Sequence, residues 1–292
     1  MRLAEALGGE VINADSRQVY RGMDIGTAKP TQQEQARVRH HVLDAVDPDE
    51  RFSLARYLDF AAEALDDCWA RGVLPVVAGG TGQYVWALLE GWQVPRVPPD
   101  EALRAELERR VERDGVEALL EQLRRVDPAY AARVDPKNAR RIIRALEVHR
   151  RTGRPLSSCQ TRLPPDYRWA AVGLAWPREE LYRRIDARVD AMFASGLVDE
   201  TRCLIERGYT CDLASMSGIG YRQVCQHLTG ELTLEEAIER AKTATHRLAR
   251  MQDNWFRRDD ARIAWIDATA GDPLQEALRV VESRLRLTPP GA

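Results

Sequence analysis

The segment VLPVVA, residues 73–78, is apolar at every position and runs through Gly79-Gly80-Thr81-Gly82 straight into QYVWALLEG. A strand without polar alternation has both faces buried, the habit of parallel sheets covered by helices. A glycine turn that opens directly into a helix is the matching connection. The sequence upstream keeps the same rhythm. Leu3, Ala4, Ala6 and Leu7 fit a helix stopped by Gly8-Gly9, and EVINA, residues 10–14, follows as a strand. HVLDAV, residues 41–46, is predicted as a second strand. Ser53 is predicted to cap a helix that carries Leu54, Leu58, Ala61, Leu65 and Trp69 at helical spacing and ends at Gly72. The expected class is therefore α/β, a parallel sheet flanked by helices.

WQVPRVPPD, residues 92–100, holds three prolines and marks a boundary. Beyond it, to about residue 155, the chain reads as helices only, rich in Arg, Glu and Leu. RWAAVGLAW, residues 168–176, returns to strand; long helices follow, with TLEEAIERAKTATHRLARMQDNWFRRD among them. ARIAWID, residues 261–267, is a last strand, and a last helix is expected to end near Arg286. The predicted layout is an α/β core from residues 1–98 and 168–292, with a helical insertion domain at 99–167.

The 292 residues carry a formal net charge of -2, which neither favours nor excludes a nucleic-acid partner. Cys68, Cys159, Cys203, Cys211 and Cys225 form no C-x-x-C pair, so neither a zinc knuckle nor a disulfide framework is indicated. Idle thiols in a reducing cytosol are the expectation. No apolar run is long enough to span a bilayer, and the N-terminus lacks an apolar signal core, so no membrane partner and a cytoplasmic location are expected.

Four segments could carry chemistry. Asp15 stands just past the carboxyl end of a predicted parallel strand, where open α/β sheets place ligands. A carboxylate there is a general base, a magnesium ligand, or merely a cap or turn former. Gly79, Gly80 and Thr81 join strand to helix; they suit an oxygen-rich anion at a helix N-terminus, or form only a tight turn. Residues 138–155 present Arg140, Arg141, Arg144, Arg150, Arg151 and Arg154 around a buried stripe of Ile142, Ile143 and Leu146, with Glu147 as the only acid. That stripe grips a phosphate backbone or is a solvated face. In SGIGYRQ, Tyr221 could stack on a base and Arg222 could hold a phosphate, beside the glycines Gly218 and Gly220; a helix-helix corner is the alternative. Trp255 and Phe256 are expected to pack in the core or seal a surface.

Together, INADSRQVYRGMDIGTAKP, HHVLDAVDP, VAGGTGQYVWALLEG, RRIIRALEVHRRTGRPLS, GIGYRQ and NWFR stand in the order and rough spacing of one family. The chain resembles the tRNA dimethylallyltransferases, also called tRNA isopentenyltransferases. The resemblance implies a P-loop-type parallel sheet with a helical insertion domain that binds tRNA, and with it nucleotide (ATP) binding. It implies transfer of a dimethylallyl group from dimethylallyl diphosphate to N6 of adenosine 37, in the anticodon stem-loop of tRNAs reading codons that begin with U. The implied cofactor is Mg2+, with its protein ligands unknown, and the implied state is a monomer.

Residue by residue, Asp15 matches the family's catalytic carboxylate, Thr81 a diphosphate contact and Arg222 a neutralising arginine. Gly79 and Gly80 fall with Thr81 in the diphosphate-binding turn. Asp15, Ser16, Arg17 and Gln18 fall where the family touches tRNA. So do Arg140, Arg141, Ile142, Ile143 and Arg144, and Ser217, Gly218, Ile219, Gly220, Tyr221 and Arg222. Two positions depart from the family pattern: Met251 and Asn254 replace the usual Arg and Thr. The family's N-terminal strand and its phosphate loop ending Gly-Lys-Thr or Gly-Lys-Ser have no counterpart; RLAEALGG matches the helix after that loop, so either the start site is misplaced downstream of it or the chain is a true, inactive truncation, and the first is expected. The competing readings are prenyl transfer to free adenine nucleotides, a small-molecule phosphotransferase, and a tRNA-binding protein without catalysis.

Overall fold

The computed structural model describes residues 1–285, so the expected end of the last helix near Arg286 lies just outside the described residues. In chain order the elements are α1 (Arg2–Ala6), β1 (Glu10–Asn13), α2 (Gln32–Arg37), β2 (His40–His41), α3 (Leu54–Ala70), β3 (Pro75–Ala78) and α4 (Gly82–Leu89). There follow α5 (Glu101–Asp114), α6 (Val116–Val126), α7 (Pro128–Ala131), α8 (Ala139–Thr152) and α9 (Leu156–Cys159). The remainder is β4 (Ala171–Ala175), α10 (Arg178–Ala194), α11 (Leu197–Glu206), α12 (Tyr221–Leu228), α13 (Leu234–Gln252), β5 (Ile263–Asp267) and α14 (Pro273–Leu285). The chain divides into two compact units, Met1–Val85 together with everything from Asp166 onward, and Trp86–Pro165.

The first unit is α/β with parallel strands, as expected. β1 pairs with β2 on one side and β3 on the other, and β4 pairs with β5. All these pairs are parallel, and helices connect and cover the strands. Ser53 caps α3 by accepting the Arg56 N–H at 3.3 Å, as its position before the apolar series predicts. The inner face of α3 buries Tyr57, Ala61, Ala64, Leu65 and Cys68.

The second strand is corrected. It is His40–His41 and not residues 41–46. Val42 and Asp44 have φ of 62° and 49°, in the left-handed region that breaks a ladder. Long-range bonds hold them there. Asn13 Nδ2 donates to the Val42 carbonyl at 3.1 Å, and Lys29 Nζ to the Asp44 carboxylate at 2.6 Å. Only Val46 returns to the sheet direction, in a single parallel bridge to Tyr20. The thiols are corrected too: Cys211 and Cys225 form a disulfide, while Cys68, Cys159 and Cys203 are free.

The second unit is helical. Leu103, Leu107, Leu119, Leu120, Leu123, Ile142, Ile143 and Leu146 make its core. Asn138 caps α8 by accepting the Arg141 N–H, and Gly153, at φ 69°, ends it in the left-handed conformation that a side chain disfavours. Glu147 is fully buried and holds the unit together. It accepts from the Arg104 guanidinium at 2.8 and 2.9 Å and from the Asp100 N–H at 2.8 Å, and it pairs with Arg144. Burial pushes the Glu147 carboxyl up, but these donors outweigh it and hold it below its usual range.

Candidate active site

β1 runs out at Asn13, and the chain turns sharply through Asp15. The Asn13 Oδ1 accepts the Asp15 N–H at 3.0 Å, and the Asp15 Oδ1 accepts the Arg17 N–H at 2.7 Å. Those two bonds leave the second carboxylate oxygen of Asp15 without a partner among the described residues, on a half-buried side chain. On the neighbouring strand, β3 ends at Ala78 and the glycine turn begins. A Cβ on Gly79 would lie 2.2 Å from the carbonyl carbon of Ala14, so only glycine lets the two strand ends close up. The Thr81 N–H donates to the Ala14 carbonyl at 3.1 Å, and the Thr81 Oγ accepts the Ser16 N–H at 3.0 Å. Asp15 and Thr81, far apart in sequence, thus share one site at the carboxyl ends of β1 and β3.

The turn is clamped from the far end of the chain. Gln252 Nε2, at the close of α13, donates to the Gly80 carbonyl at 3.1 Å, and the Trp255 side chain lies so close to Gly82 that a Cβ there would meet it at 2.3 Å. Trp255 nonetheless remains 39% exposed, so it flanks the turn and is not a core residue. α4 begins directly at this turn and presents its first N–H groups there.

The 214–222 segment joins the site through Arg17. Its Nη1 donates to the Ala214 carbonyl at 2.9 Å, and Nη2 lies 3.5 Å from the Ser217 hydroxyl. Arg17 is therefore occupied in holding protein. Gln18 is likewise committed, with Nε2 on the carbonyls of Thr27 and Ala28. Gln18 also lines a cavity of about 230 Å3 with Val11, Asn13, His40 and Ala78. Ser217 is exposed, Ile219 half-buried, and Gly218 and Gly220 buried. Gly220, at φ 92°, turns the chain into α12.

Tyr221 does not fit the base-stacking role that sequence allowed it. It is 1% exposed, and a Cβ on Gly26 would meet its ring at 2.5 Å. Its hydroxyl donates to Glu200 at 2.5 Å, and burial, first, then Glu200 push its pKa far above the usual phenol range. Arg222, the next residue, is exposed and has no ion pair among the described residues.

Two residues that sequence reasoning passed over organise this region. The Glu200 carboxylate accepts the backbone N–H groups of Asp24, Ile25 and Gly26 at 3.1, 2.8 and 3.4 Å besides the Tyr221 hydroxyl. Lys29 is buried with its Nζ on the Tyr20 carbonyl, Asp24 and Asp44 at 2.8, 2.6 and 2.6 Å. The polar density of MDIGTAKP was the available signal for Lys29; Glu200 has none, because its partners lie far away in sequence.

In the helical unit, Arg140 and Arg141 are exposed and carry no ion pair among the described residues. Arg144 is tied to Glu147 and to the Val97 carbonyl. Ile142 and Ile143, at 0% and 4% exposure, belong to the core, so their side chains pack rather than touch an outside ligand.

The family model described as IPP transferase matches residues 18–259. The chain belongs to the IPP transferase family. A tRNA dimethylallyltransferase of Roseiflexus castenholzii is 54% identical, over 96% of this chain and 92% of that protein. One of Thermomicrobium roseum is 49% identical, over 98% and 87%. Among solved structures, the full-length tRNA isopentenylpyrophosphate transferase of Bacillus halodurans superposes with a TM-score of 0.70 at 41% identity, covering 97% of this chain and 90% of that one. A eukaryotic dimethylallyltransferase captured acting on tRNA superposes with a TM-score of 0.74 at 30% identity, over 91% and 69%. These likenesses agree with the α/β fold of parallel strands and helices.

Proposed function

We propose that this IPP transferase family member is a tRNA dimethylallyltransferase: it transfers the dimethylallyl group of dimethylallyl diphosphate to N6 of adenosine 37, in tRNAs reading codons that begin with U. The observation that carries this is the pairing of a carboxylate that has a free oxygen, Asp15, with a phosphate-type turn, Gly79-Gly80-Thr81, at adjacent strand ends. Relatives of about half-identical sequence bear the same activity in their names.

The reaction makes two demands on the site. The exocyclic amine is a weak nucleophile and must shed a proton; the free oxygen of Asp15 accepts it. The C–O bond to diphosphate breaks and leaves charge on oxygen. The Thr81 hydroxyl, whose proton has no acceptor among the described residues, the first N–H groups of α4 and the Arg222 guanidinium stabilise that charge. Adenosine 37 must leave its stack to reach Asp15, at an order of a few kcal/mol. Ser16 and Ser217 are proposed as tRNA contacts beside it, while Arg17 and Gln18 are committed to neighbouring backbone. Arg140 and Arg141 supply phosphate contacts on the helical insertion.

We further propose Mg2+ as the cofactor. The Thr81 hydroxyl offers a hard oxygen at this site, which suits an ion otherwise bound by water and substrate phosphate. When bound, the ion adds Lewis-acid neutralisation of the leaving diphosphate. No helix among the described residues is long and apolar enough to cross a membrane, and we propose a cytoplasmic monomer.

The test is transfer of labelled dimethylallyl to an anticodon stem-loop with adenosine at position 37, beside the same loop with guanosine there and beside AMP. Product is expected with the first alone. Label on AMP, or no label on any acceptor with Mg2+ present, overturns the proposal.

A further inference from the structure

Away from the candidate active site, one cluster joins three different metal-ligating side chains. Glu10 opens β1, His41 closes β2, and Cys68 lies on the inner face of α3. His41 sits opposite Ile12 in the ladder, and Glu10, two residues from Ile12, shares its face. His41 Nε2 is 2.7 Å from Glu10 Oε2, and Cys68 Sγ lies 3.7 Å from that oxygen and 3.8 Å from that nitrogen. Cys68 is fully buried, and the His41 and Glu10 side chains are 11% and 14% exposed. No other such group occurs among the described residues.

We propose that Glu10, His41 and Cys68 form a binding site for a divalent cation of zinc's type, with a fourth position open to water. Bond lengths of about 2.3 Å to sulfur and about 2.0–2.2 Å to nitrogen and oxygen, in a tetrahedron, set donor-to-donor edges of about 3.4–3.6 Å. Both edges to sulfur are already within a few tenths of an ångström of that. The edge between nitrogen and oxygen is closed by a hydrogen bond and opens by about 0.7 Å when an ion takes the place of the His41 Nε2 proton, which moves to Nδ1 of the same ring. A thiolate with an imidazole and one carboxylate is a borderline-soft set, which selects zinc or cobalt over magnesium.

The charges balance. Binding forms the sulfur–metal bond and releases the Cys68 thiol proton to solvent, so thiolate and carboxylate together offset the two positive charges. Arg71 donates to both Glu10 oxygens, at 2.7 and 2.6 Å, and to Asp67. With an ion on Oε2, Arg71 keeps Oε1 and Asp67 and orients the ligand as an outer partner. The cluster lies at the start of β1 and Asp15 beyond its end, so the ion would tie β1, β2 and α3 together without touching substrate.

The experiment is titration of chelator-treated protein with Co2+, followed by thiolate-to-cobalt charge-transfer absorption and by proton release. Expected are one Co2+ per chain, displacement by Zn2+, and one proton released per ion. Cys68→Ser, which keeps the side-chain volume, loses the charge-transfer band while retaining its circular dichroism and prenyl transfer. His41→Ala weakens binding by more than the roughly 100-fold typical of losing an outer partner. Cys159→Ser and Cys203→Ser leave the band unchanged. Absence of the band at stoichiometric Co2+, its survival in Cys68→Ser, or its loss in Cys203→Ser overturns the proposal.

Discussion

Asp15 divides its carboxylate between two tasks. One oxygen accepts the Arg17 N–H and holds the turn; the other is free. Asp15→Asn keeps the first function and loses the second, since an amide cannot take a proton at neutral pH. Single-turnover transfer is expected to fall by about 10²–10⁴ while affinity for the anticodon stem-loop is retained. Equal loss of binding and transfer would make Asp15 a structural residue. Glu200 acts one step away, through the three N–H groups it gathers and through Tyr221, which precedes Arg222. Glu200→Gln puts an amide nitrogen against those donors and leaves part of the network unsatisfied, at about 1–3 kcal/mol. The expected signature is a raised KM for dimethylallyl diphosphate with a smaller change in kcat, rescued by Glu200→Asp only in part; an unchanged KM with a lower melting temperature would reduce Glu200 to a stabilising role.

At the scale of elements, α8 shows best why an arginine-rich helix needs its one acid. Breaking a buried pair by removing a partner costs about 3–5 kcal/mol, because the orphaned charge stays behind. Glu147→Gln is therefore expected to destabilise the helical unit by that order in urea unfolding, whereas Arg150→Ala, on an exposed pair with Glu106, should cost under about 1 kcal/mol. The pH dependence has a fixed sign. The folded-state pKa of Glu147 lies below 4.5, so its contribution is complete above that value and is lost as pH falls through the lowered folded value. Acid unfolding of Glu147→Gln should be correspondingly flatter below pH 4.5. The local features of α3 were legible from sequence, because its Ser53 cap, Gly72 and apolar spacing act within a few residues, and so was the buried stripe of α8. The second strand was not, because Asn13 and Lys29 impose left-handed backbone on Val42 and Asp44 from 29 and 15 residues away. Nor was the burial of Tyr221, which Gly26 and Glu200 cause from distant segments. Asp15 and Thr81 were legible as separate candidates, and only the fold brings them together.

At the scale of the molecule, a formal net charge of -2 supplies no long-range attraction for a polyanion. Many arginines among the described residues are also paired with acids: Arg124, for example, bonds both Glu117 and Glu121. RNA affinity then rests on guanidinium groups left without acids, Arg140, Arg141 and Arg222 among them. Such contacts release counterions, and each one adds about 0.7–0.9 to the slope of log affinity against log salt. Arg140→Ala combined with Arg141→Ala is expected to lower that slope for the anticodon stem-loop by roughly 1.4–1.8 and to weaken different sequences alike. Arg124→Ala should leave it unchanged, since its charge is already neutralised. A double variant with the parent's slope would place the phosphate contacts elsewhere and return α8 to a solvated face, whereas a smaller slope with transfer of bound RNA intact would separate the grip on the tRNA from the chemistry at Asp15.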